Sequence, residues 1–198
     1  MNNFKVITKI EELPKDIIEN VEIGIINLRT GDLKVINEIS FRCHSTTACC
    51  RLHTIPLTEN DVLRIEKHGY ELFQFLKETS PVLILSKIKK GHYTKAYILK
   101  KKPFSNECVF LENNKCKIHE FKPIACKLYP FSIRRDEGDE DKVTVIVHPE
   151  SVCTSVKKCS IKQYAEKFNE DINEVMGSKQ ILEFIYDLIK ENEVQTID

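Results

Sequence analysis

The chain has 198 residues, with 30 basic and 30 acidic side chains in balance, eight cysteines and no tryptophan. That length suits one compact domain, or one domain with a helical appendage, and a chain of this size buries a core without disulfide staples. Zero net charge supplies no field for nucleic acid or an anionic membrane surface, and no run approaches the roughly 20 apolar residues of a transmembrane helix.

The opening residues, M-N-N-F-K-V-I-T-K-I, hold no long apolar run and no small-residue cleavage site, so no signal peptide is expected and a soluble, cytoplasmic protein is. Residues 1–20 read as a lead-in with one helical turn near Pro14 to Asn20. Val21 to Asn27 is apolar and β-branched, Arg29-Thr30-Gly31-Asp32 is a turn, and Leu33 to Ile39 returns, which predicts a hairpin. Thr58 is an N-cap with Asp61 three residues on, in capping-box position. Val62, Ile65, Leu72, Phe73 and Leu76 carry that helix to about residue 79, with Gly69 breaking or kinking it.

Pro81 to Ile88 and Tyr93 to Leu99 are strand-like runs around Lys89-Lys90-Gly91-His92. The lysines at 87, 89, 90, 95 and 100–102 read as charged hairpin edges that block sheet pairing. Aromatic interleaving is too poor for a nucleic-acid patch. Cys108 to Leu111 extends the sheet, Glu112 to Lys115 is a turn, and Pro123 opens a helical turn carrying Cys126. Phe131 to Arg135 and Lys142 to Val147 flank an acidic tip at 136–141 that matches no calcium loop and reads as a hairpin turn. Ser160, with Gln163 in box position, opens a helix from Ile161 to about Met176, and Gly177 stops it. Ser178 caps another helix with Ile181, Leu182, Ile185, Leu188 and Ile189 on one face. The fold class is α+β: a small antiparallel sheet of hairpins around a cysteine-rich metal core, with a C-terminal helical hairpin. The expected division is a metal-binding domain over 1–159 and the helical hairpin over 160–198 packed on it.

The cysteines carry the chemistry. Cys43, Cys49 and Cys50 form one island, and Cys108, Cys116 and Cys126 a second; Cys153 and Cys159 follow. In a reducing compartment, clustered cysteines bind metal or do redox chemistry more often than they form disulfides. Thiolates suit zinc and iron–sulfur centres. His53 and His119 each stand three residues after a cysteine, a spacing that shares one helical face. Adjacent side chains diverge by about 100° on a helix. The Cys49-Cys50 pair therefore suits two neighbouring sites, or a polynuclear centre, better than one tetrahedral ion. No C-x2-C zinc knuckle and no C-x2-C-x2-C ferredoxin run occurs, so spacing leaves zinc and iron–sulfur both open.

In order and spacing, Cys43, Cys49 and Cys50, then Leu57-Thr58 with Asp61, Cys108-Val109-Phe110-Leu111, Cys116-Lys117-Ile118, Pro123, Cys126, Tyr129-Pro130-Phe131 and Cys153 are similar to the CxxCxxCC, or YkgJ-type, family of zinc- or iron-chelating domains. The resemblance spans about Phe41 to Cys153. It implies a metal core in which Cys43, Cys49, Cys50, Cys108, Cys116, Cys126 and Cys153 are the ligands of zinc or iron, including a 4Fe-4S cluster. This chain departs from the pattern at Thr46, where the family has a cysteine, at Thr47, and at His119 and Lys122, where it has tyrosine and arginine. Cys159, His44, His53 or His119 is then a candidate to replace the thiolate missing at 46. A branch of the family resembles flagellin lysine N-methylases, which implies, as the alternative function, S-adenosylmethionine as cofactor and a protein substrate. No G-x-G nucleotide loop accompanies that here, and whether the chain is an enzyme stays open.

Overall fold

The computed structural model describes residues 17–85, 93–136 and 138–194. In chain order the strands and helices are β1 (Glu22–Asn27), β2 (Leu33–Val35), β3 (Ser40–Phe41), α1 (Ala48–Leu52), β4 (Pro56–Leu57), α2 (Glu59–Lys67), α3 (Leu72–Phe75), β5 (Val82–Leu85), β6 (Tyr93–Ile98), β7 (Leu111–Glu112), β8 (Lys115–Cys116), α4 (Ile124–Leu128), β9 (Phe131–Arg135), β10 (Lys142–Val147), β11 (Val156–Lys157), α5 (Ile161–Phe168), β12 (Met176–Gly177) and α6 (Ser178–Val194). The fold is α+β, built from small antiparallel sheets with short helices and a long C-terminal one. Among the described residues no helix is long and apolar enough to cross a membrane. The helical turn expected near Pro14 and the lysines at 87, 89 and 90 lie in whole or in part outside the described residues.

Contacts divide the described chain into two units. The first holds residues 17–44 and 130–194. Its main sheet has the order β2-β1-β10-β9, all antiparallel. The hairpin expected over 21–39 forms, but strand β2 ends at Val35. The chain then turns into β3, which lies between β11 and β12 in a second sheet. Helix α6 packs on β1 and β2 through buried Ile181, Leu182 and Ile185. A Cβ at Gly24 would strike the Leu182 side chain and the Lys34 carbonyl, so only glycine allows that approach.

The expected helix from 161 to 176 is shorter than its apolar pattern suggested. A left-handed residue interrupts it: α5 ends at Phe168, Asn169 takes φ +53°, and Met176–Gly177 pairs with β3 instead. Ser178 does not spend its hydroxyl on a helix cap. It accepts from the Ile39 amide at 2.7 Å and donates to the Asn37 carbonyl at 2.7 Å, tying α6 to the entry of β3. Residues 160–194 thus belong to the same unit as residues 130–159.

The second unit holds residues 45–85 and 93–129. Its sheet has the order β4-β6-β5, with β5 and β6 paired as the hairpin reading required. The Thr58–Asp61 capping box forms, and α2 stops at Gly69, whose φ is +88°. Leu57, Val62, Ile65, Phe75, Leu76, Leu99, Phe110, Leu111 and Ile118 make one apolar core. Each large side chain so buried contributes about 1.5–3 kcal/mol of transfer free energy. Cys108 belongs to this core, and Cys50 and Cys116 pack against it.

Candidate metal centre

Helix α1 is only five residues long and begins after two residues with left-handed backbone, Ser45 and Thr47. It carries Cys49 and Cys50. The second island is bonded onto this helix: the Cys108 amide donates to the Cys50 carbonyl at 2.8 Å. Lys101 bridges the backbone of Cys108, and its ammonium donates to the Arg51 carbonyl at 2.9 Å. The Arg51 guanidinium pairs with Glu107 and donates to Asn114 Oδ1 at 2.6 Å. Asn113 and Asn114, both left-handed, turn the chain so that Cys116 stands opposite Leu111. Cys126 sits in α4, whose first amide is held by Asp61.

Cys50, Cys108, Cys116 and Cys126 therefore share one desolvated neighbourhood, and their ionisation shows it. Burial raises the Cys126 thiol well above the ordinary range, and charge on Cys50, Cys108 and Cys116 raises it further. Burial pushes Cys108 up to about 11, with Cys50 and Cys116 adding to the effect. Cys116 is raised by burial and by Cys50. Cys50 is raised most by its contact with Cys49, then by burial. Lys122 opposes the shift at Cys50, Cys116 and Cys126; burial lowers the Lys101 pKa, and charge on Cys108 and Cys50 acts against that.

These four thiols fit a thiophilic metal by donor chemistry. Four thiolates on a divalent ion leave two negative charges, and Arg51, Lys101 and Lys122 stand where they offset them. Among the described residues no three or more His, Cys, Asp or Glu side chains already form a cage around a metal position. Neutral thiols have no reason to converge; loss of their protons to a cation supplies one.

The remaining candidates have these surroundings. Cys49 touches Cys50, with Sγ atoms 3.9 Å apart. Cys43 and Cys153 lie in the first unit, where burial, with a smaller effect of charge on Cys43, raises Cys153 to about 11. Cys159 packs beside Tyr164, Ala165 and Val175. His44, also in the first unit, lies against the rings of Tyr164 and Phe168, with Nδ1 3.2 Å from Ser155 Oγ and Nε2 3.4 Å from a Glu170 oxygen. His53 meets Tyr129, Nε2 to hydroxyl, at 3.2 Å. His119 is exposed. Spacing gave no signal for Lys101, because its approach to the thiols depends on the bridge to Cys108.

The family described as "Putative zinc- or iron-chelating domain", CxxCxxCC, matches residues 42–172. The chain belongs to this family. That membership accounts for the shared order of the two cysteine islands, and this CxxCxxCC domain keeps both with Thr46 in place of one thiol. MJ0661, an uncharacterised protein of Methanocaldococcus jannaschii, is 28% identical over 105 residues, covering 52% of this chain and 51% of that protein. The chain thus spans about half the length of this curated relative. No solved structure matches.

Proposed function

We propose that this CxxCxxCC domain chelates zinc or iron, with iron either bare or in a 4Fe-4S cluster, through Cys50, Cys108, Cys116 and Cys126. The observation that carries the reading is the gathering of four thiols from α1, the 108–116 turn and α4 into one neighbourhood supplied with three cations. Four protein ligands close a coordination shell, which favours a holding role over catalysis at the metal. Cys43 and Cys153 are a separate thiol pair, proposed as further ligands within their own unit.

The test is metal and acid-labile sulfide analysis, with a visible spectrum, on protein purified without oxygen. Stoichiometric zinc and no colour means a chelating tetrathiolate; iron with sulfide and a brown spectrum means a cluster. If fully reduced protein takes up neither metal, the proposal fails.

A further inference from the structure

Cys49 is not one of the four thiols proposed as ligands, but its sulfur contacts one of them. Its Sγ stands 3.9 Å from that of Cys50, and among the described residues this is the one contact between two thiols. Both side chains are half-buried, so small solutes reach the pair. We propose that Cys49 and Cys50 form a redox-active dithiol that reacts with peroxide, and that closing it removes Cys50 from the metal and releases the ion. This rests on the chelating role proposed above.

The chemistry balances. The Cys49 sulfur attacks a peroxide oxygen, the O–O bond breaks, and Cys49 becomes a sulfenic acid with release of water. The Cys50 sulfur then displaces hydroxide from that sulfenic acid and the S–S bond forms. The hydroxide leaves as a second water, taking the Cys50 proton or, if Cys50 was a metal-bound thiolate, a proton from solvent. Two thiols lose two electrons in all, and hydrogen peroxide gains them.

Three features of the site favour this course. The sulfurs already touch, so reaction needs an approach of only about 2 Å to reach bonding distance. The helix that must deform, α1, has five residues, and no side chain caps its N-terminus; such a short helix has little cooperative stability of its own. Adjacent Cα atoms lie about 3.8 Å apart, closer than the usual 4.4–6.8 Å of disulfides, so the closed form is strained and readily reduced. The device is therefore reversible by an ordinary thiol reductant.

The other thiols near Cys50 do not compete equally. Cys108 lies in the apolar core, and Cys126 sits on a different helix held by Asp61. Cys49 shares the short helix α1 with Cys50, so the pair closes within one element.

The test uses the full-length protein, metal-loaded and metal-free, treated with hydrogen peroxide. Peptide mapping under non-reducing conditions is expected to find a 49–50 disulfide in both forms. The loaded protein is expected to lose its metal in step with disulfide formation and to regain it after dithiothreitol and fresh metal. Cys49→Ser and Cys49→Ala are expected to bind metal as the parent does and to retain it under the same peroxide. Either variant losing metal binding outright makes Cys49 a ligand and overturns the inference, as does a variant that releases metal as fast as the parent, or a disulfide mapped elsewhere. If the parent never binds metal, the chelating role falls, while mapping of the metal-free chain still decides whether the dithiol closes.

Discussion

Asp61 Oδ1 accepts the backbone amide of Ile124 at 3.0 Å, so one buried carboxylate caps two helices. Its other oxygen accepts the Thr58 amide at 2.9 Å at the start of α2, while Arg64 pairs with Oδ1. Arg64 also donates to the carbonyls of Phe121 at 3.2 Å and Lys122 at 3.2 Å. The strand-to-helix start at Leu57-Thr58 and the segment that carries Cys126 are thereby fixed to each other. Asp61→Ala strands Arg64 and the Ile124 amide and is expected to cost about 2–4 kcal/mol of unfolding free energy, as broken buried pairs do. Asp61→Asn keeps an acceptor and costs less. Urea unfolding with parallel metal titration checks this; an Asp61→Ala variant with parental stability sinks it.

The proposed chelation divides the thiols into ligands and bystanders, and substitution tests that division. Cys50→Ser and Cys126→Ser are expected to lose metal and to lower the melting temperature of metal-loaded protein to that of the metal-free chain, because binding energy is here folding energy. Cys159→Ser, packed beside Tyr164 in the first unit, is expected to keep full metal content. Equal loss in all three variants makes Cys159 a ligand and breaks the assignment.

His53 and Tyr129 each lie three residues beyond a cysteine, Cys50 and Cys126. Their 3.2 Å hydrogen bond links the chain leaving α1 with the chain leaving α4. Tyr129→Phe removes one hydroxyl and is expected to cost about 0.5–1.5 kcal/mol and to weaken metal affinity without touching a ligand. The double variant with His53→Ala should cost less than the sum of the two singles. Strict additivity would mean the two residues act independently.

Acid should loosen the first unit through His44. Its side chain is 4% exposed. Burial, helped by the Arg42 charge, lowers its pKa to about 4. Arg42 already pairs with Glu170 and Glu174, so the neighbouring carboxylate does not hold a proton on the ring. Between the ordinary value of 6.5 and 4, the unfolded chain binds a proton that the folded chain refuses. Stability present above pH 6.5 is therefore lost as pH falls through that window, by on the order of 2 kcal/mol. Urea titrations from pH 7 to pH 4.5 are expected to show this slope, and His44→Gln to flatten it. An unchanged slope in the variant assigns the acid sensitivity to other groups.

Local chemistry made much of this legible. Thr58 with Asp61, and Ser160 with Gln163, announce helix starts because capping is a contact over three residues, and both boxes form. Alternation and turn residues at 21–35, 82–98 and 131–147 give the hairpins, because register there is set by neighbours in sequence. Gly69 ends α2 because its φ of +88° excludes other residues cheaply. The pattern misled where distant strands compete: Val175 and Met176 continue an apolar helical face, yet Met176 is taken by Phe41. Ser178 looks like a cap, and a segment 139 residues away claims its hydroxyl.

The sequence by itself determined the family, the α+β class and the two cysteine islands, since thiol chemistry and local periodicity are written in single residues and short spacings. Only the tertiary structure decided how those thiols sort. Cys50 comes near Cys108, Cys116 and Cys126 because a backbone hydrogen bond from Cys108 and the Asp61 clamp on α4 bring three separated segments together. Cys49, one residue away, has its sulfur 3.9 Å from that of Cys50, and successive side chains on a helix point in different directions. In the other unit, the pairing of β3 with β11 brings the chain segments of Cys43 and Cys153 near enough for charge on one to act on the other. Such groupings depend on which distant segments win each other's hydrogen bonds, and spacing along the chain does not encode that.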